Sequence, residues 1–270
     1  MTDRRLTPAT SRLALATLAG QTDLPLTEGS LLRVALPLVD LLRSPGGPRD
    51  RQLWLGERFT VIDREGDHVF GQAQRDGYCG WLPESALAEG TAATHWISAP
   101  SSHLYPEPRV QAHERAALPM GARLTVTAEV GAFAETPLGF VPMVHLTPLG
   151  RWLADPVSVA ESLLGSPYLW GGNSRAGIDC SGLVQLAHHA CGITLPGDSD
   201  LQEAATPRAE GPFQRGDLLF WQGHVALAVG ESLLIHANGH TMSVAYEPIE
   251  ACLARIKAAE GRVLSSHRRP

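Results

Sequence analysis

The sequence predicts an α+β chain, with two small all-β modules ahead of a domain that runs helices first and an antiparallel sheet after. Three observations carry this reading. Residues 31–90 and 91–148 share a layout of short apolar runs broken by Gly and Pro, a repeat of about sixty residues. After Gly150 the apolar spacing turns helical twice, once from an Asp-Pro cap signal and once from Cys180 after a glycine-rich turn, and each time it ends at a glycine. Beyond Gly216, four apolar runs follow one another across tight turns, as in a meander. The organisation expected is a leader over 1–30, modules over 31–90 and 91–148, and a last domain over 149–270.

The totals agree. The chain has 270 residues, with hydrophobic residues at 44% and charged residues at 19%, ordinary for a globular protein. The 27 Gly and 20 Pro favour many turns and short strands. A net charge of −6 gives no reason to expect nucleic acid or an anionic membrane as partner. No run is long enough to span a bilayer. The four cysteines, Cys79, Cys180, Cys191 and Cys252, show no disulfide-framework spacing and no CxxC, which favours a reducing compartment.

In the leader, Arg4, Arg5 and Arg12 precede an apolar run from Leu13 to Ala19. The run is short for a secretory core, and Gly20-Gln-Thr-Asp follows it in place of a cleavage site. It is read as a mature leader packed on the body of the protein. The chain is accordingly placed in the cytoplasm, with the periplasm as the alternative. In the first module, Val39 to Leu42 stops at Ser44-Pro-Gly-Gly-Pro, Leu53 to Ile62 reads as a strand pair with a glycine bend, and Asp76-Gly77 is a hairpin signal. The second module answers it more weakly through His103 to Pro108, Ala117 to Thr127 and Leu138 to Leu146. Trp54, Trp81 and Phe140 are expected in the barrel cores.

In the last domain, Asp155-Pro156 is an N-cap and N1 pair. Val157, Ala160, Leu163 and Leu164 share a helical face, and Gly165 stops it. A glycine-rich loop leads to Cys180, from which Leu183, Val184, Ala187, Ala190 and Cys191 keep helical spacing up to Gly192. Leu195 to Gln202 reads as a loop. Strands are expected over 217–221, 224–229, 233–236 and 242–246, then a helix over 249–259 and a last strand over 262–267.

The chemistry centres on Cys180. A thiol attacks as thiolate, and a free cysteine titrates at about 8.5. A helix N-terminus and an adjacent imidazolium both lower that value. The chain offers the first directly. For the second, His224 starts one strand and His236 ends the next, so a tight turn can bring both to one end of the sheet. One can contact Cys180 while the other orients it. The competing reading of a cysteine at a helix start is a small buried hydrophobe, and Cys191 and Cys252 are read that way. His188-His189 with Cys191 suggests a metal site, but adjacent histidines point to different sides of a helix, so no metal is assigned. His95, His103, His113 and His145 read as surface or barrel residues.

The segments Pro167-Tyr-Leu-Trp-Gly-Gly, Asp179-Cys-Ser-Gly, Leu195-Pro-Gly-Asp-Ser, Gly216-Asp-Leu-Leu-Phe and Gly223-His-Val-Ala-Leu-Ala-Val-Gly resemble the NlpC/P60 cysteine peptidases in order and approximate spacing, from about Leu153 onward. The modules before them resemble bacterial SH3 domains, through the Gly-Glu or Gly-Ala bend and the terminal Gly-Trp-Leu or Gly-Phe-Val. The resemblance implies a papain-like NlpC/P60 catalytic domain preceded by two SH3-like barrels, with Cys180 as nucleophile, His224 as base and His236 as orienting residue. It implies a substrate site lined by Tyr168, Asp179, Ser181 and Ser199, and no cofactor.

The arrangement of domains resembles the γ-D-glutamyl-L-diamino acid endopeptidases, which cut peptidoglycan-derived peptides bearing a free N-terminal L-Ala. In that subgroup the first SH3-like domain reads the amine. Glu57 and Tyr78 are the matching acid and phenol, and a bound ammonium needs such a carboxylate. This implies a role in cell-wall peptide recycling. The alternatives are a non-catalytic peptide-binding protein, which the complete Cys180, His224 and His236 set disfavours, and an amidase or transacylase on the same fold.

Overall fold

The computed structural model describes residues 3–270, and the chain divides between Leu149 and Gly150 into two compact units. In the first, an antiparallel sheet of seven strands runs in the order Arg49–Trp54, Leu38–Leu42, Cys79–Pro83, His68–Ala73, Arg58–Glu65, Ser30–Val34, Leu87–Ala88. Val34, Leu41, Phe59 and Leu82 form its core. The leader lies against this sheet. Leu15 inserts among Ile62, Phe70, Cys79 and Trp81, and Arg4 and Arg12 pair with Asp50 and Asp63.

Residues 95–148 of the same unit hold shorter strand groups around Ile97, Leu118, Leu124 and Val141. Trp54 and Trp81 are buried as expected, but Phe140 is only half-buried. The ladder explains this. Ala134 pairs with Val141 on the buried face, which turns the neighbouring pair of Glu135 and Phe140 outward. Phe133, on the same face as Phe140, is buried against the Tyr105 ring.

The second unit is built of four helices and a five-stranded antiparallel sheet. The helices are α1 (Pro156–Glu161), α2 (Cys180–Ala190), α3 (Ser199–Ala205) and α4 (Ile249–Glu260). The strands are β1 (Leu218–Trp221), β2 (His224–Ala228), β3 (Leu233–Asn238), β4 (Ser243–Pro248) and β5 (Ser266–Arg268), in the order β4-β3-β2-β1-β5. Asp155 caps α1 by accepting from the Val157 and Ser158 amides. The stretch expected as a loop over 195–202 is corrected in part, because its second half opens α3 at Ser199. Pro196-Gly197 supplies the turn signal, and the helix starts straight after Asp198 at its N-cap position.

A two-residue turn, Gln222-Gly223, joins β1 to β2 and closes on the pair Trp221 and His224. Gly223 has φ +74°, a left-handed conformation that other residues adopt at a cost. That turn fixes His224 as the first residue of its strand.

Asp155→Ala should cost about 1 kcal/mol by removing the α1 cap. A lower urea midpoint at unchanged slope would show it, and an unchanged midpoint would contradict the cap.

Candidate active site

The site grows from the start of α2. Asp179 is the N-cap, and its Oδ1 accepts the Gly182 amide at 2.6 Å and the Ser181 hydroxyl at 3.1 Å. Its Oδ2 accepts the Gly171 amide at 2.9 Å, so one carboxylate binds the glycine-rich loop to the helix. The approach is close: a Cβ on Gly182 would lie 2.5 Å from the Gly172 carbonyl oxygen. Only glycine lets the loop and the first turn pack this way.

Cys180, the first residue of α2, is 7% exposed. Burial pushes its thiol up, to about 12, and the Asp179 charge adds to this. The backbone N–H groups of Val225, Ser181 and Cys180 itself oppose the rise, so the sulfur faces amide donors of the helix start and of β2. The expectation of a lowered thiol pKa is therefore corrected. The helix terminus acts on Cys180 as predicted, but desolvation is the larger effect. Val225, which donates to the sulfur, is the residue after His224.

The histidines meet as the strand pattern predicted. His224 Nε2 lies 2.9 Å from His236 Nδ1. β2 and β3 pair Leu227 with Ile235 and Ala228 with Leu234. Continued along the strands, that register sets His236 across from Ala226, with His224 two positions along on the same face. Burial draws His224 down to about 3, with His236, Arg262 and Arg255 acting in the same direction and Glu247 opposing. His236, 1% exposed, is drawn down to about 4 by burial, again against Glu247. Both imidazoles are neutral at pH 7, the state in which one can accept a proton.

The next strand carries this row further. His236 pairs with Ala245 and Leu234 with Glu247, which puts Glu247 on the face that holds His236. Glu247 Oε2 lies 3.2 Å from His236 Nε2. Arg255 of α4 donates to Glu247 through Nε at 2.8 Å and Nη2 at 2.7 Å, and holds that carboxyl down to about 2. Sequence reading missed Glu247 and Arg255. Their signal, an acid at alternate spacing on the strand after β3, has meaning only once the register is known.

Among the expected substrate residues, Tyr168 is half-buried, and burial, with Cys180 and Asp179 adding, pushes its phenol up. Ser181 is buried against Asp179. Ser199 begins α3, which Gln202 ties to α2 by donating to the Ser181 carbonyl at 3.0 Å. Glu57 and Tyr78 belong to the first unit. Glu57 is 2% exposed, and its Oε1 accepts from the Trp54 amide at 3.0 Å and from Arg75 at 2.7 Å. Arg75 in turn lies 3.9 Å over the Trp54 ring, and Glu57 Oε2 keeps no hydrogen-bond partner. Tyr78 packs in the core of the first sheet. His188, half of the dismissed metal pair, contacts the Val184 carbonyl at 2.8 Å inside α2.

Cys79 and Cys252 supply an internal control, since burial also pushes their thiols up to about 12. Iodoacetamide at pH 7 should label Cys180 faster than either. His224→Ala should bring Cys180 to their level. Equal labelling in the unmodified chain would contradict activation by His224.

Comparison with known proteins fits this geometry. The profile of the NlpC/P60 family matches residues 165–255, and that of a bacterial dipeptidyl-peptidase Sh3 domain matches residues 41–87. A γ-D-glutamyl-L-lysine dipeptidyl-peptidase of Bacillus cereus is 29% identical over 244 residues, covering 74% of this chain and 70% of that protein. Its namesake from Bacillus subtilis is 31% identical over 214 residues, covering 69% of this chain and 71% of that one. The crystal structure of an NlpC/P60 family protein from Bacillus cereus shares the fold, with a TM-score of 0.75 at 22% identity over 89% of this chain and 99% of that one. The chain belongs to the NlpC/P60 family and is a cysteine peptidase.

Proposed function

We propose that the protein hydrolyses the γ-D-glutamyl–diamino acid bond of peptidoglycan-derived peptides that carry a free N-terminal L-Ala. The observation that carries this is the match, along more than two thirds of the chain, to two proteins named γ-D-glutamyl-L-lysine dipeptidyl-peptidases. A dipeptidyl-peptidase counts two residues from a free amine, which agrees with the expected selectivity. The matched Sh3 profile carries the same dipeptidyl-peptidase description.

In this reading the second unit has the papain-like arrangement, and the first holds two SH3-like barrels. Cys180 is the nucleophile, His224 the base and His236 the residue that orients it. The proton of Sγ passes to His224 as sulfur bonds to the γ-glutamyl carbonyl carbon. Backbone N–H groups at the α2 start face the oxygen that becomes negative. The C–N bond then breaks, and His224 returns its proton to the departing amine of the diamino acid. Water, deprotonated by the same imidazole, attacks the thioester; the C–S bond breaks, L-Ala-γ-D-Glu leaves, and His224 returns the proton to Sγ. The neutral resting state of His224 suits this sequence, since it begins by accepting a proton.

Tyr168, Asp179, Ser181 and Ser199 are assigned the walls around the cut bond. Glu57 and Tyr78 are assigned to selectivity for the free amine. A requirement for that amine puts the enzyme after a reaction that cleaves L-Ala from the sugar, an amidase step. That order is the one expected of cell-wall peptide recycling in the cytoplasm.

Incubation with L-Ala-γ-D-Glu-L-Lys, with its meso-diaminopimelate counterpart and with N-acetylated forms of both provides the test. Mass analysis should find L-Ala-γ-D-Glu from the free-amine peptides, little from the acetylated ones, and none with Cys180→Ala. Release that survives Cys180→Ala would overturn the nucleophile. Equal cleavage of acetylated peptides would overturn the selectivity.

A further inference from the structure

The row of polar groups that starts at His224 does not stop at His236. Across three neighbouring strands, His224 Nε2 meets His236 Nδ1 at 2.9 Å, and His236 Nε2 meets Glu247 Oε2 at 3.2 Å. Arg255 clamps Glu247 with two nitrogens, and Cys252 of α4 stands beside the same carboxylate. His236 is 1% exposed, and its Nε2 makes no well-aligned hydrogen bond among the described residues, Glu247 included, which stands within ion-pair distance. Glu247 is its sole ion-pair partner among the described residues.

We propose that Glu247, held by Arg255, is a positioning residue that sets the tautomer of His236 and, through it, of His224. The inference rests on the assignment of His224 as base. Its logic is one of donors and acceptors. A carboxylate only accepts, so His236 Nε2 must carry the hydrogen. His236 Nδ1 is then an acceptor, which obliges His224 Nε2 to be the donor. The lone pair of His224 is thereby placed on Nδ1, where it is available to take a proton. Without Glu247, His236 can adopt either tautomer, and one of the two leaves His224 with its hydrogen on the wrong nitrogen. Arg255 keeps the carboxylate ionised and in place.

The same neighbourhood brings one donor atom each from His236, Glu247 and Cys252 within 4.8 Å of one another, as a metal site would. Arg255 argues against a cation there. Its guanidinium already neutralises Glu247, and a metal ion would have to displace it from a bidentate, partly buried pairing.

Two variants test the proposal. Glu247→Ala removes the acceptor, whereas Glu247→Gln keeps an oxygen that can face His236 and Arg255. Glu247→Ala should lower kcat about 10–100-fold with little change in KM. Nitrogen-15 NMR of the labelled imidazoles at pH 7 should show His236 as the Nε2–H form in the unmodified chain and a mixture in Glu247→Ala. Glu247→Gln should keep the single tautomer and most of kcat. A purely structural role would lower the folded fraction and leave the tautomers of the folded molecules alone. A single unchanged tautomer in Glu247→Ala, or unchanged kcat, overturns the proposal. If Glu247→Ala does not fold, the milder change decides: Glu247→Gln with a lost tautomer and unaffected kcat would overturn it equally. Turnover that survives Cys180→Ala would instead overturn the peptidase assignment on which this rests.

Discussion

The Asp179 carboxylate is the interaction on which the rest of the site depends. It caps α2 through Gly182, holds the Ser181 hydroxyl and anchors Gly171 of the preceding loop. Those three hydrogen bonds decide where Cys180 sits and which amides face its sulfur. They carry a penalty, because a negative charge beside a buried thiol disfavours the thiolate. The same group that builds the position of the proposed nucleophile thus makes it harder to ionise. The helix-start amides and the Val225 amide compensate only in part, and in the proposed mechanism the remaining activation falls to His224.

Burial sets the character of that partnership. Cys180 is pushed up and both histidines are drawn down, which leaves thiol and imidazoles neutral at rest. A neutral pair needs a proton moved at the moment of attack, and the direction of that movement depends on which imidazole nitrogen is vacant. The row His224, His236, Glu247 and Arg255 meets the need with hydrogen-bonding groups on three strands and one helix. Each member lies within hydrogen-bond or ion-pair distance of the next, which is how polar groups at a partly buried site keep one another in place. Glu57 and Arg75 in the first unit pair a buried carboxylate with a buried guanidinium, though Glu57 Oε2 stays outside that pairing.

Much of this was legible in the sequence where the signal is local. The Asp155 cap, the apolar stripe of α2 and the glycine stops are set by residues within a few positions of one another. The meander of the second unit was legible because its turns are short, and with it the meeting of His224 and His236. Glu247 was not, because its role depends on the register between β3 and β4, which no local pattern states. Nor was the ion pair on Glu57, since Arg75 lies beyond an intervening strand pair. The thiol's raised pKa was missed for a related reason: a helix start can be read from residue types, but the depth at which it is buried cannot. Phe140 shows the limit of composition, because strand alternation keeps it off the face that Ala134 and Val141 bury.

The central claim is that a buried, protonated Cys180 becomes the acylated residue. Rapid acid quench of the enzyme during turnover of L-Ala-γ-D-Glu-L-Lys, followed by peptide mapping, addresses it most directly. The account predicts an L-Ala-γ-D-Glu acyl adduct on the peptide that contains Cys180. Full turnover with no adduct on that peptide, or an adduct on another residue, would contradict it.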